Sequence, residues 1–350
     1  MPHSISSPAQ PSHAPPRPLA LTMGEPSGVG GEIALKAWLQ RRDLALAPFF
    51  LVDDPGRLKA LARSLGLNVA VETLDDPSQC VAAFNHALPV LPLRTEVQAE
   101  PGHPSGANAG AALDSIREAV ALTLDGAASA VVTNPIHKQV LMDAGFAHPG
   151  HTEFLAELCG SQKPPVMMLA CAALRVVPVT VHQPLSHVPK TLTAELIEQT
   201  GRTTAEALKS HFGIKNPRLA VAGLNPHAGE GGQLGHEETR IIQPAVDALR
   251  AEGIALSGPL PADSLFHPEA RRGYDAALCM YHDQALIPIK TIDFERGVNV
   301  TLGLPIVRTS PDHGTALDIA GQGKASPASL IAALQMAAEM TQAAGTAAHG

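Results

Sequence analysis

The feature that most constrains this chain is a rhythm. From Pro18 onward, short apolar runs closed by glycine, proline or a polar residue alternate with longer stretches of helical periodicity. Runs of this kind suit buried strands, and their alternation with helices predicts an α/β fold. LALTMG (19–24) and FFLVDD (49–54) are expected strands around a helix over residues 32–42. AALDSIREAVALTLDG (111–126) places Leu113, Ile116 and Val120 on one helical face, and ASAVVTNP (128–135) follows as a strand. RVVPVTVHQ (175–183), RLAVAGLNP (218–226) and AALCMYHD (276–283) continue the strands, with helices expected over 191–210, 237–252 and 327–344. No internal repeat is visible.

A chain of 350 residues exceeds the usual size of one hydrophobic core, so one large α/β unit or two lobes sharing a cleft are expected. Residues 18–350 are taken as a single two-lobed unit, with 94–108 as the best candidate crossover. A lobe built from both chain ends around a middle lobe is the alternative. Residues 1–17, rich in Pro, Ser and His, are expected to form a disordered tail, and they lack the charged-then-apolar layout of a secretory signal.

The net charge of −8 comes from 33 acidic against 25 basic residues with no basic block, which argues against nucleic acid or anionic membrane as partner. Any bound anion must be held by a few local cations. Cys80, Cys159, Cys171 and Cys279 form no CxxC pair and are expected as reduced core residues of a cytoplasmic protein. No apolar run reaches the roughly 18 residues that span a bilayer.

Three histidines stand at or just beyond the carboxyl ends of expected strands: His182 in VTVHQP, His227 in LNPHAG and His282 in MYHDQ. Ligands of open α/β sheets bind outside those ends. Three imidazoles plus an open position suit zinc or another borderline divalent ion, whereas magnesium prefers oxygen ligands. Against this stands the plain alternative that each is a hydrogen-bonded loop or core histidine.

TMGEPSGVGGEIALKAW (22–38) is a glycine-rich turn feeding a helix, a place where backbone amides favour anions. It is neither the dinucleotide fingerprint nor a Walker loop. VTNPIHK (132–138) and GHTEF (150–154) place Asn134, His137, Lys138, His151 and Thr152 on loops, where they suit a phosphorylated or carboxylated substrate, although Glu153 there is equally an ordinary capping residue. In residues 288–326, Lys290 and Arg308 supply cations and Asn299 a neutral donor, and Arg308 can grip a carboxylate or phosphate bidentately. Flanking runs such as VNVTLGLPIV are expected to be buried, and an unpaired buried cation is costly, so a site is favoured over surface charge.

Taken in order from about Leu19 to Ala337, MGEPSGVG, VTNPIHK, GHTEF, GLNPHAGEGG, PADSLF, YDAALCMYHDQ and GVNVTLGLPIVRTSPDHGTALDIAG closely resemble the 4-hydroxythreonine-4-phosphate dehydrogenase family of pyridoxal phosphate biosynthesis. HGTALDIAGQGKA also looks like the cofactor loop of isopropylmalate and isocitrate dehydrogenases. The resemblance implies their two-lobed fold with a cleft between lobes, which holds NAD without a Rossmann fingerprint. It implies that His182, His227 and His282 ligate a divalent metal, with one contributed across a homodimer interface, zinc being the first choice and cobalt or magnesium the alternatives. His151, Thr152, Lys290, Asn299 and Arg308 match substrate-binding positions, and His313, Gly314 and Asp318 fall in the cofactor loop for NAD or NADP. Lys290, Asp263 and a metal-bound water are the candidates for the base. One departure is Gly31, which stands where the family usually has proline.

The chemistry implied is oxidation of a secondary hydroxyl with hydride transfer to the nicotinamide, followed by loss of carbon dioxide from the β-keto acid to give 3-amino-2-oxopropyl phosphate. The rivals are a relative acting on threonate or erythronate 4-phosphate or on a cis-dihydrodiol, a metal-dependent hydrolase that turns over without NAD, and a binding protein without turnover.

Overall fold

The computed structural model describes residues 17–148 and 150–347, so nearly all of the expected tail lies outside the described residues. Twelve strands form one mixed sheet: β1 (Leu19–Thr22), β2 (Phe49–Asp53), β3 (Val71–Thr73), β4 (Leu88–Pro92), β5 (Val131–Val132), β6 (Val166–Cys171), β7 (Leu174–Pro178), β8 (Arg218–Ala222), β9 (Ala255–Leu260), β10 (Ala276–Cys279), β11 (Val298–Leu302) and β12 (Arg308–Pro311). Between them lie α1 (Gly30–Leu39), α2 (Pro55–Ser64), α3 (Cys80–Phe84), α4 (Ala109–Leu124), α5 (Lys138–Asp143), α6 (His151–Leu158), α7 (Val188–Thr191), α8 (Ala194–Ser210), α9 (Gln243–Ala251), α10 (Pro268–Arg271), α11 (His282–Ile292) and α12 (Ala328–Ala347). The order across the sheet is β3-β4-β2-β1-β5-β12-β11-β6-β7-β10-β8-β9. None of the described helices is long and apolar enough to cross a membrane.

The expected strands are present with mostly shorter bounds and the expected helices with bounds shifted by a few residues, α12 running on to Ala347, and the segment 93–108 joins β4 to α4. β11 pairs antiparallel with both β12 and β6, and β6 pairs antiparallel with β7, while every other pairing is parallel. These reversals turn the sheet round in its middle. β3, β4, β2, β1, β5, β12 and β6 run one way, and β11, β7, β10, β8 and β9 run the other. Loops after β1, β5 and β12 therefore open at one end of the sheet, and loops after β7, β8 and β10 at the opposite end.

Alternation along the strands sends successive side chains to opposite faces. One face is covered by α1, α2, α8, α9 and α12 in a continuous apolar core. The other carries two separate clusters, one under α4, α5 and α6 and one under α11. The middle strands run between those two clusters, and their residues on this face are polar.

Candidate active site

The polar strip follows from strand register. Asn299 lies opposite Ser310 and Thr301 opposite Arg308, while Arg308 also lies beside Val131 of β5. Because side chains alternate, Asn299, Thr301, Arg308, Ser310 and Thr133 all share one face. This spacing was visible beforehand: VNVTL and RTSPD are polar at every second position.

Arg308 dominates the strip. It is only 4% exposed, and its guanidinium donates to Thr301 Oγ1 at 2.8 Å and Thr133 Oγ1 at 2.7 Å. Among the described residues its Nε has no partner and no carboxylate pairs with it. Burial pulls its pKa down to about 10, which still leaves it cationic at neutral pH. A buried cation held only by hydroxyls lacks the counterion that normally offsets its desolvation. His151, the first residue of α6, lies near enough to feel that charge. Burial, then Arg308, lower its pKa well below 6.5, so it is a neutral ring, and its Nε2 is buried and unpartnered. Thr152 follows it on the same turn.

Asn134, next to Thr133, donates from Nδ2 to the Thr22 carbonyl at 2.9 Å, while its Oδ1 is buried without a partner. Of the five buried side-chain atoms without a partner among the described residues, four belong to Asn134, His151, Arg308 and His313. Orphaned buried polar atoms are uncommon in folded proteins. Their gathering on or next to one strip makes it the candidate ligand site.

Lys290 occupies the last turn of α11 and pairs with Asp312 at 2.9 Å, just past β12. Asp312 went unnoticed in the sequence, although it continues the every-second-residue pattern of 308 and 310. Asp263 is exposed on the short turn after β9, beside the His227 turn and away from this pair. His313 bonds only within its own neighbourhood, with Nδ1–H donating to the Gly314 carbonyl at 2.9 Å. Gly314 and Asp318 are exposed on the loop that follows. That loop walls a cavity of about 330 Å³ lined by Val29, Ile33, Phe294, Ala316 and Ile319. Backbone bonds and the Glu32–Lys36 pair fasten the loop at both ends: Val29 N–H donates to the Thr315 carbonyl, and Lys36 Nζ donates to the carbonyls of Gly323 and Ala325. His137 does something plainer than ligand binding, since its ring accepts the Val140 N–H and caps α5.

His182, His227 and His282 follow β7, β8 and β10, which are neighbours in the sheet and end at the same side. His182 and His282 are brought together, with ring centroids 5.4 Å apart. His282 Nδ1 lies 2.8 Å from Asp283 Oδ1. His227 does not join them in a three-residue group: none of the described residues form a cluster of three or more His, Cys, Asp or Glu in metal-holding arrangement. His282 and Lys290 start and finish one helix, eight residues and roughly 12 Å apart, so the sequence-predicted residues fall at two ends of α11.

His227 opens a left-handed turn. His227, Ala228, Gly229, Glu230 and Gly231 have φ of 53, 51, 76, 45 and 68°. For the three that are not glycine this costs about 1–2 kcal/mol each, so something must hold the turn. Glu238, 3% exposed, accepts the N–H groups of Leu224 and Asn225 at 2.8 and 2.7 Å and Asn225 Nδ2 at 3.0 Å. A Cβ at Gly223 or Gly229 would press on that carboxylate, which explains the glycines of GLNPHAGEGG.

A family profile described as pyridoxal phosphate biosynthetic protein PdxA matches residues 45–337. The chain belongs to this family. It is 58% identical over 332 residues to a 4-hydroxythreonine-4-phosphate dehydrogenase of Methylorubrum populi, covering 93% of this chain and 95% of that one. A 1.25 Å crystal structure of 4-hydroxythreonine-4-phosphate dehydrogenase from Klebsiella pneumoniae superposes with a TM-score of 0.83 at 38% identity, covering 93% of this chain and 100% of that one. A terephthalate 1,2-cis-dihydrodiol dehydrogenase from Burkholderia xenovorans is further off, with a TM-score of 0.62 and 28% identity over 93% and 98% of the two chains.

At Gly31, the departure that the resemblance implied, the packing around the missing side chain is tight. α1 begins at Gly30, and a Cβ at position 31 would stand 2.9 Å from Leu61 Cδ2 and 3.2 Å from Arg57 Nη1. The missing side chain lets α2 and Arg57 close against the loop. Glu25 of the same loop went unnoticed in the sequence. It is 4% exposed, and burial raises its pKa against the pull of the Ser27 N–H, His137 and Arg57.

Proposed function

We propose that this protein is an NAD-dependent dehydrogenase that oxidises 4-phosphohydroxy-L-threonine and releases carbon dioxide to give 3-amino-2-oxopropyl phosphate, a step of pyridoxal 5'-phosphate biosynthesis. Membership of the family and the names of its close relatives supply the reaction. The observation in the molecule that supports it best is Arg308, a buried guanidinium whose counterion is missing. A dianionic phosphate or a carboxylate is the ligand that such a group accepts best.

The two apolar clusters on one face are read as two lobes, and the strip between them as the floor of a cleft of the isocitrate and isopropylmalate dehydrogenase kind. Arg308 binds an anionic group of the substrate, helped by neutral His151, Thr152 and Asn299. Lys290, held by Asp312, adds a second cation at the far end of the strip. The nicotinamide cofactor lies along the His313–Asp318 loop, with the apolar cavity beside it taking a flat ring.

A divalent metal fits the histidine pair. Two imidazoles on one tetrahedral ion have ring centres roughly 5 Å apart, and His182 and His282 match that spacing. Asp283 on His282 Nδ1 fixes the tautomer that leaves Nε2 available. When bound, the ion would polarise the hydroxyl being oxidised and later accept electron density as carbon dioxide leaves. His227 is the third ligand. A set left incomplete in one chain agrees with a site shared between two copies of a homodimer.

In this scheme the C3 hydroxyl loses its proton to a base, hydride passes from C3 to the nicotinamide, and the C1–C2 bond then breaks toward the new ketone. Lys290 and Asp263 are the chain's own candidates for the base. Lys290 must first give up Asp312 to serve, and Asp263 is exposed beside the histidine end.

NADH formation by metal-stripped protein tests the assignment, with zinc, cobalt or magnesium restored and 4-phosphohydroxy-L-threonine set beside threonate 4-phosphate. Metal-dependent NADH from the amino substrate is expected. Preference for the threonate, or activity on a cis-dihydrodiol alone, would move the protein to another substrate. Turnover without NAD would replace the reading with a hydrolase.

A further inference from the structure

Gln284 has no place in the chemistry above, yet it is buried at 7% exposure and both ends of its amide are used. Its Oε1 accepts the Met280 N–H at 2.6 Å, and its Nε2 donates to the Gly223 carbonyl at 2.7 Å. Met280 belongs to the connection from β10 into α11 that carries His282, and Gly223 is the root of the turn that carries His227. One side chain therefore ties the two histidine-bearing loops across neighbouring strands.

The tie reaches a turn that is itself clamped. Glu238 gathers the N–H groups of Leu224 and Asn225 immediately after Gly223, and Asn225 Nδ2 is shared between Glu238 and Glu237 Oε2 at 2.8 Å. Ala228 N–H donates to the Asn225 carbonyl, and Leu234 N–H to the Gly229 carbonyl. A left-handed run containing three non-glycine residues keeps its shape only while such contacts over-determine it. Beside Gln284, Ala285 and Ile289 are apolar, and an apolar side chain of equal length would fill the same volume. What the amide adds is a fixed relation between two loops, because a buried amide with both ends bonded tolerates little displacement.

We infer that Gln284, braced by Glu238, is a positioning residue that locks the His227 turn to the His282 loop and thereby sets how each of these histidines is presented to metal sites shared with a second copy of the chain. This rests on the metal reading above. Gln284 touches neither substrate nor metal in this role. Loss of its Nε2 bond frees the Gly223 carbonyl and lets the turn drift while the sheet stays intact.

Cobalt(II) titrated into metal-free protein reports both affinity and ligand geometry through its visible absorption. Wild type, Gln284→Ala, Gln284→Glu and His227→Ala are compared, each with its thermal unfolding. Gln284→Ala is expected to bind cobalt about 10–100-fold more weakly, the range seen when the outer partners of a metal site are removed, and with an altered absorption band. Gln284→Glu keeps the acceptor for Met280 N–H and loses the donor to Gly223, so it should shift the same way. Wild-type affinity and spectrum in both variants would overturn the inference and leave the metal reading standing. A wild type that takes up no cobalt, or a His227→Ala protein that binds it as wild type does, would overturn both. Should Gln284→Ala fail to fold, amide exchange in metal-free Gln284→Glu decides. Faster exchange over residues 223–235 with α11 still protected is expected, and unchanged exchange there would overturn the inference.

Discussion

Two arginines in this chain, Arg57 half-buried and Arg308 buried, have opposite surroundings. Arg57 grips Asp53 with two parallel bonds, Nε to Oδ1 at 3.1 Å and Nη2 to Oδ2 at 2.5 Å, and donates a third to the Pro26 carbonyl. Asp53 is fully buried, and its desolvation raises its pKa against the pull of Arg57. Arg308 is more deeply buried and has two threonine hydroxyls and an idle Nε. The first cation finds its anion inside the fold and welds α2 to the loop after β1. The second, in the proposed function, takes its anion from the substrate. Burial of a charge alone does not separate structure from function, whereas the identity of its counterion does.

The largest expected effect attacks the second arginine. Arg308→Met should lower kcat/KM for the phosphorylated substrate by about 1000-fold, roughly 4 kcal/mol, the scale for losing one partner of a desolvated ionic contact. Its unfolding midpoint should hold or rise, since an uncompensated buried charge has gone. Arg57→Met should reverse the pattern. Asp53 would stay buried without its cation, and chemical denaturation should show a loss of about 3–5 kcal/mol, with KM of the surviving fold near wild type. If Arg308→Met unfolds the protein and Arg57→Met abolishes turnover in a stable one, the comparison is wrong.

Only the Arg308 half of this contrast could be read from the sequence. The alternation of runs specified strands and helices, and the motif resemblance grouped Arg308, His151 and Asn299 as substrate-binding candidates, of which Asn299 and Arg308 share one face of the sheet. Thr133, Thr301 and Asp312 were overlooked although the same period marks them. What stayed hidden depends on pairing between distant segments. Nothing local to β11 or β6 says that both pair antiparallel and turn the sheet round, which is why three histidines end up at one end and Lys290 near the other. The left-handed shape of HAGEG was also hidden, for only two of its five residues are glycines and the carboxylate that holds it lies at Glu238. His137 looked like a ligand donor and is a helix cap, since a histidine after a strand serves either role.

A smaller effect sharpens the comparison without substrate. Inorganic phosphate at 100 times its dissociation constant should stabilise wild type by about 2.7 kcal/mol, raising its melting temperature, and should do so in Arg57→Met but not in Arg308→Met. Smaller still is a pH effect. The fold lowers the pKa of His151, so below about 6.5 the unfolded chain takes up a proton that the native ring resists. That part of the stability is complete above pH 6.5 and is lost as pH falls beneath it. His151→Gln should flatten the fall in melting temperature between pH 7 and 5, and an unchanged slope would remove His151 from the account.

The most direct measurement is NADH formation by zinc-loaded wild type and Arg308→Met with 4-phosphohydroxy-L-threonine and with its dephosphorylated form, 4-hydroxy-L-threonine. Wild type should strongly favour the phosphorylated substrate, and Arg308→Met should lose most of that preference while folding normally. Equal turnover of the two substrates by wild type, or an unaltered preference in Arg308→Met, would contradict the claim that this buried guanidinium is the substrate's anion site.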